Sequence, residues 1–86
     1  MTPPREITVV VRLFAHAREA AGAASVEVRL ADGDRADAVW AALPPEVRGA
    51  LDPATTRIAL NGAWAEAGAR VAEGDELALV PPVSGG

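Results

Sequence analysis

The sequence predicts one small α+β domain in which a single main helix packs across a mixed sheet of four or five strands. Three observations lead to this prediction. Segments of alternating polarity lie near both ends of the chain, an apolar stripe at helical spacing lies between them, and Asn61-Gly62 is typical of a two-residue hairpin. A chain of 86 residues has room for one core only.

The first strand is predicted over residues 7–14, which are rich in β-branched side chains. Alternation along a strand places every second side chain on the same face, so one face of this strand is expected in the core: Ile7, Val9, Val11 and Leu13. The opposite face carries Val10 and Phe14 and is therefore not cleanly polar. Such a face is expected to be covered by another element or by a partner.

The middle of the chain predicts a short helix, a second strand and the main helix. The short helix covers residues 15–21 and ends at Gly22, and residues 25–30 alternate as a strand. Asp34 is expected to cap the main helix. The core-facing stripe of that helix has the spacing i, i+3, i+4 and i+7, and it comprises Ala36, Val39, Trp40 and Leu43. Pro44-Pro45 ends it.

The last third of the chain predicts a hairpin and a final strand. Residues 57–60 run into Asn61-Gly62 and return through residues 63–65, while residues 76–80 alternate with Leu77 and Leu79 inward. The resulting order of elements is that of the ubiquitin-like β-grasp fold. We therefore expect a β-grasp domain over residues 1–80 and an extended tail over residues 81–86.

Composition excludes several classes of function. The chain has no cysteine and one histidine, His16, so neither a thiolate or zinc centre nor a catalytic triad can be assembled. A net charge of −4 argues against a nucleic-acid surface and favours a neutral or basic protein partner. No apolar run is long enough to span a membrane and no signal peptide is present, so a cytoplasmic protein is expected.

The remaining chemical feature is the terminal segment Pro81-Pro-Val-Ser-Gly-Gly86. Six residues reach roughly 20 Å at about 3.3 to 3.6 Å each, far enough to enter the active site of another protein. Glycine has no Cβ, so the terminal carbonyl is sterically open. Its ionised carboxylate is a poor acylating agent. Activation with ATP by another enzyme, followed by attack of a sulfur nucleophile, would leave a thiocarboxylate on Gly86.

These residues resemble the small, sulfur-carrying subunit of molybdopterin synthase, within the ThiS/MoaD-like ubiquitin-like β-grasp family. The resemblance covers nearly the whole chain. It rests on residues 11–22, on Leu60-Asn-Gly62, on residues 73–80 and on the tail, which is its most specific part.

The resemblance implies a carrier that is not an enzyme by itself and binds no cofactor. An adenylyltransferase like the ubiquitin-activating enzymes would use ATP to adenylate Gly86, and a sulfur-donating enzyme would convert the adenylate to a thiocarboxylate. The tail would then enter the large catalytic subunit of molybdopterin synthase. There it would donate sulfur to cyclic pyranopterin monophosphate and form the dithiolene of molybdopterin. A heterotetramer with two large subunits is expected.

The resemblance also implies a set of partner contacts. Gly85 and Ser84 would lie beside Gly86 in the partner, and Val80, Phe14 and Trp64 would form the surface that meets it. Family members commonly carry an aromatic residue just before the proline pair, where this chain has Val80. That difference affects the size of the contact and not the chemistry.

Three alternatives remain open. A carrier for thiamine or cysteine biosynthesis would use the same terminal chemistry. A ubiquitin-like modifier would be joined to lysines of target proteins instead. A β-grasp interaction module with an inert tail would use the globular part alone.

Overall fold

A computed structural model describes residues 5–66 and 68–82 of the chain. The strands are β1 (Glu6–Arg12), β2 (Ser25–Ala31), β3 (Arg57–Leu60), β4 (Ala63–Trp64) and β5 (Glu76–Val80). The helices are α1 (Ala15–Ala21), α2 (Val39–Ala42), which follows a 3₁₀ turn at Ala36–Ala38, and α3 (Pro45–Arg48).

The five strands form one mixed sheet in the order β2-β1-β5-β3-β4. The first and last strands, β1 and β5, pair in parallel, and every other pair of neighbours is antiparallel. The predicted α+β class and the predicted ubiquitin-like β-grasp arrangement are both confirmed. Because β5 lies between β1 and β3, the last strand of the chain is in the middle of the sheet.

One face of the sheet and the helices enclose the core. The side chains predicted to face inward from β1 and β5 are all buried, and Val9, Val11, Leu77 and Leu79 are fully inaccessible. Val39 from α2 and Val47 from α3 are buried against them. Burial of these branched side chains is the main source of stability in a domain of this size.

The first strand is shorter than predicted. Pairing of β1 with β2 ends at Arg12 and Ser25, and Leu13 then donates its backbone N–H to the carbonyl of Ala24 at 2.8 Å. Phe14 keeps extended dihedral angles just before α1. The alternation therefore continues past the strand, with Leu13 in the core and Phe14 outside it.

The main helix differs from its prediction at the beginning. It starts as the 3₁₀ turn, and Arg35, the residue before that turn, makes no side-chain capping bond. The prediction that Asp34 caps this helix is wrong: its carboxylate accepts the N–H of Ala31 at 2.9 Å and closes the turn after β2. The N–H of Ala36 instead donates to the carbonyl of Ala69 at 2.7 Å, so a distant segment fills the role of the cap.

The predicted hairpin is confirmed in its backbone geometry. Asn61 and Gly62 have φ angles of 50° and 86°, and positive φ at both positions is what a type I′ turn requires. The Asn61 side chain also reaches β5: its amide nitrogen donates to Asp75 at 3.0 Å, and its oxygen accepts the N–H of Glu76 at 2.9 Å. The hairpin is thereby fastened to the start of the last strand.

Among the described residues, no helix is long and apolar enough to cross a membrane.

Candidate functional site

The candidate site begins at the end of β5, where the strand is followed by the tail. Val80 is the last residue of β5 and pairs with Arg57 of β3. Pro81 and Pro82 follow, and because proline has no N–H they cannot continue the hydrogen-bonded ladder. The buried side chains of Leu77 and Leu79 hold this strand in the core, so the tail leaves from a fixed point.

Three of the predicted site residues, Ser84, Gly85 and Gly86, lie outside the described residues. The others, Phe14, Trp64 and Val80, are described.

The two prolines lie beside a cleft of about 360 Å³. Its walls come from the start of α1, including His16, and from the loop between α3 and β3, including Asp52. That loop is held by its own hydrogen bonds, since Thr56 Oγ1 donates to the carbonyl of Asp52 at 2.7 Å and the N–H of Ala54 donates to the Asp52 carboxylate at 2.9 Å. The tail therefore starts beside an ordered loop.

The face of the sheet opposite the helices is called the outer face here. The strand register places a row of four side chains across its centre, and in order they are Arg12, Ala78, Ala59 and Trp64. A second row, one step nearer the tail, contains Val80 beside Arg57. Two alanines, Ala78 and Ala59, thus lie between the longer side chains of Arg12 and Trp64 on the outer face.

The structure brings Phe14, Val80 and Trp64 to this same side of the molecule. Trp64 is 57% exposed and Phe14 is 38% exposed, and they are the two exposed large hydrophobic side chains of the described residues. Val80 is half-buried. Because β1 and β5 run parallel with Arg12 beside Ala78, Phe14 comes level with Val80 at the end from which the tail departs.

Sequence reasoning missed Arg57. Its guanidinium carbon lies 3.9 Å from the centre of the Trp64 ring, a cation–π arrangement. The signal was present in the sequence, because the Asn61-Gly62 hairpin pairs Ala59 with Trp64 and thereby puts Arg57 diagonally beside that ring. On the same face, Arg12 forms a loose ion pair with Glu76 at 3.9 Å.

The part of the chain that the structure describes contains no cluster of three or more metal-ligating side chains, and none of its polar or charged side chains is buried. His16 is exposed on α1, with Nδ1 3.7 Å from the carboxylate of Glu19.

Comparison with protein families gives one match. The model described as the ThiS family matches residues 11–86.

Comparison with solved structures finds the same fold in a small archaeal modifier protein and in molybdopterin converting factor subunits. Small archaeal modifier protein 1 from Haloferax volcanii is 32% identical, with 92% of this chain and 99% of that chain covered and a TM-score of 0.75. The putative molybdopterin converting factor subunit 1 from Pyrococcus furiosus is 24% identical over 90% of this chain and 99% of its own, with a TM-score of 0.68.

A third similar structure is a complex of subunits 1 and 2 of the molybdopterin-converting factor from Helicobacter pylori. It is 24% identical, covers 93% of this chain and 100% of that chain, and has a TM-score of 0.65. At this level of identity the likeness shows the ubiquitin-like β-grasp fold, which all three structures share with this chain.

Proposed function

Since this chain belongs to the ThiS family, we propose that it is a sulfur carrier for molybdenum cofactor biosynthesis, with Gly86 as the group that carries the sulfur. It supplies sulfur to molybdopterin synthase and is not a catalyst by itself. The observation that carries the proposal is the position of β5, a central and buried strand that leads through Pro81-Pro82 directly to the terminal diglycine sequence.

The chemistry proceeds in two steps on the Gly86 carboxylate. One carboxylate oxygen attacks the α-phosphorus of ATP, pyrophosphate leaves, and an acyl adenylate forms in the active site of an adenylyltransferase. Hydrosulfide released by a sulfur-donating enzyme then attacks the carbonyl carbon, the bond from that carbon to the AMP oxygen breaks, and loss of the S–H proton leaves the thiocarboxylate. Activation in this form needs an ATP pool, and the proposal places the carrier in the cytoplasm.

The proposed acceptor complex is molybdopterin synthase. The thiocarboxylate enters the large catalytic subunit and gives its sulfur to cyclic pyranopterin monophosphate. The dithiolene of molybdopterin holds two sulfur atoms, so two thiocarboxylated carriers are used for each molybdopterin, and water returns each Gly86 to its carboxylate. The Helicobacter pylori structure, in which subunit 1 of the molybdopterin-converting factor is bound to subunit 2, supports a partner of this kind. In the proposed assembly two carriers and two large subunits form a heterotetramer.

A second candidate function is supported by one comparison. The 32% identity to small archaeal modifier protein 1 favours a ubiquitin-like modifier, in which the activated Gly86 is attacked by a lysine amine of a target protein and an amide forms. A carrier for thiamine or cysteine biosynthesis shares the thiocarboxylate and differs only in the acceptor.

Intact-mass spectrometry after coexpression with an activating enzyme and a sulfur donor tests the carrier chemistry. We expect the chain to gain the mass difference between sulfur and oxygen, located at Gly86 by fragmentation. Deletion of Gly86 removes the reactive carboxylate from its position and abolishes this gain. The variant Val83→Ala is the matched control, because it alters the tail and keeps the diglycine, and it is expected to be sulfurated normally.

The outcomes separate the candidates. Lysine-linked adducts without any thiocarboxylate would favour the modifier, and sulfuration that survives deletion of Gly86 would contradict both. Purified large subunit with cyclic pyranopterin monophosphate then decides between acceptors. Formation of molybdopterin from the thiocarboxylated chain supports the proposed pathway. If no molybdopterin forms and the sulfur passes to another acceptor, the proposed pathway is contradicted.

A further inference from the structure

We propose that Arg57, stacked on Trp64, is a specificity-determining residue that binds a carboxylate of the protein partner. Beside that carboxylate, the same partner places an apolar side chain over the short side chains of Ala59 and Ala78. This inference deepens the proposed function and rests on it only for the identity of the partner.

The first argument is the geometry of the stacked pair. The Arg57 guanidinium lies 3.9 Å from the centre of the Trp64 ring, and both side chains are exposed. Stacking occupies one flat side of the guanidinium, while its N–H groups point outward in the plane. A planar fork held in place by a ring is preorganised for a two-bond contact with a carboxylate.

The second argument is the charge around Arg57. Among residues 5–66 and 68–82, the ion pairs are Arg12 with Glu76 and His16 with Glu19, and neither involves Arg57. The chain as a whole carries a net charge of −4. A partner that is basic overall is attracted at long range, and a carboxylate at the one position facing Arg57 then sets its orientation on the outer face.

The third argument is the shape next to Arg57. Ala59 and Ala78 are neighbours in the register, both are half-buried, and Arg12 and Trp64 flank them. Short side chains between long ones accept a protruding leucine or aromatic side chain, the kind of anchor that dominates protein interfaces. Arg57 pairs with Val80 and is therefore diagonal to Ala78 on the same face, so one partner segment can supply both the anchor and the carboxylate.

Titration of the full chain against the purified large subunit by calorimetry tests the inference. Arg57→Glu is expected to weaken binding by about tenfold or more, because it places a carboxylate against a carboxylate. Arg57→Lys keeps the charge and loses the planar fork, so a smaller loss of about threefold is expected. Arg48→Glu on α3 is the matched control, since it changes the net charge equally at a site away from the outer face.

A salt series and a folding control complete the experiment. The difference between wild type and Arg57→Glu is expected to shrink as salt is raised, because an exposed ion pair is screened. Cooperative thermal unfolding of each variant shows that it is folded. Should Arg57→Glu fail to fold, Arg57→Gln serves in its place.

Equal losses from Arg57→Glu and Arg48→Glu would overturn the inference, because net charge alone would then explain them. Wild-type chain that does not bind the large subunit would instead show that the proposed partner is wrong. The same variants titrated against the activating enzyme then decide the role of Arg57. If Arg57→Glu binds the activating enzyme as tightly as the wild type does, the inference is overturned. It is also overturned if the wild-type chain binds neither protein.

Discussion

At the scale of single residues, Asn61 both forms the hairpin turn and attaches that turn to β5. Its φ angle of 50° lies in the left-handed region, which asparagine tolerates better than most residues. Its side chain also forms two hydrogen bonds that reach Asp75 and Glu76. The turn and the attachment of the turn to β5 therefore depend on one side chain.

Asn61→Ala is expected to lower the free energy of unfolding by about 2–5 kcal/mol. The two lost side-chain bonds contribute about 0.5–1.5 kcal/mol each, and the left-handed conformation costs alanine roughly 1–2 kcal/mol. Urea denaturation measures the change. Asn61→Gly removes the bonds and keeps the conformation accessible, so it is expected to recover about half of the loss. Equal losses in the two variants would show that the backbone conformation contributes nothing.

The Arg57–Trp64 pair, unlike Asn61, is expected to contribute little to stability and more to partner binding. A cation–π pair at an exposed site is worth about 0.5–1 kcal/mol, which is small against the roughly 5–15 kcal/mol of a typical domain. Substitution of Arg57 therefore leaves the fold intact, and any large effect on partner binding reports on the interface.

At the scale of elements, α1 ends as its sequence predicts. Gly22 has a φ angle of 68° and donates its N–H to the carbonyls of Arg18 and Glu19. A Cβ at this position would meet no atom within 4 Å. Any cost of a side chain at Gly22 therefore comes from the backbone conformation and not from crowding.

Gly22→Ala is expected to destabilise the domain by about 1 kcal/mol, the penalty of a left-handed alanine. Gly49→Ala is the matched control, because Gly49 ends α3 with a φ of −67° in the ordinary helical region. The control is expected to change stability by less than about 0.5 kcal/mol. Thermal unfolding of both variants measures the difference, and equal losses would contradict a conformational origin.

The elements also show where local reasoning fails. Asp34 has the residue type of a helix cap, but it lies one residue before the cap position, which Arg35 occupies, and its carboxylate accepts the N–H of Ala31. The N–H of Ala36 pairs with Ala69, a residue 33 positions further along the chain. A cap is a local motif only when no distant strand or loop competes for the same N–H, and that competition depends on the tertiary fold.

At the scale of the whole molecule, the outer face combines an apolar surface with the point from which the tail departs. Phe14 and Val80 are level with each other at that end, and Arg12 and Trp64 flank Ala78 and Ala59. In the proposed function, the same partner contacts this face and receives the tail.

Phe14→Glu and Val80→Glu are expected to weaken the complex with the large subunit by at least about tenfold, because each places an unpaired charge in a desolvated contact. Phe14 is 38% exposed and the rest of its surface is buried, so Phe14→Glu is expected to lower stability by about 1–2 kcal/mol and to leave the domain folded. Val80 is half-buried and its variant is expected to lose more stability while remaining folded. Calorimetric titration measures binding, with the exposed Ala41→Glu as control. Normal binding by both variants would remove this face from the interface.

The sequence by itself determined the fold class, the bounds of β3 and β5, the Asn61-Gly62 turn and the end of α1 at Gly22. Those features follow from alternation, helical spacing and turn chemistry, which act between residues close together in the chain. Alternation also singled out Phe14 as an unusual apolar side chain, whereas Trp64 was indicated by the family resemblance.

Only the tertiary structure decided which distant residues meet. It placed β5 in the middle of the sheet, gave the first turn of the main helix its partner at Ala69, and laid Arg57 over Trp64 on the outer face. The physical reason is that strand pairing joins segments that are far apart in the chain, and their register depends on how all the apolar faces are buried together.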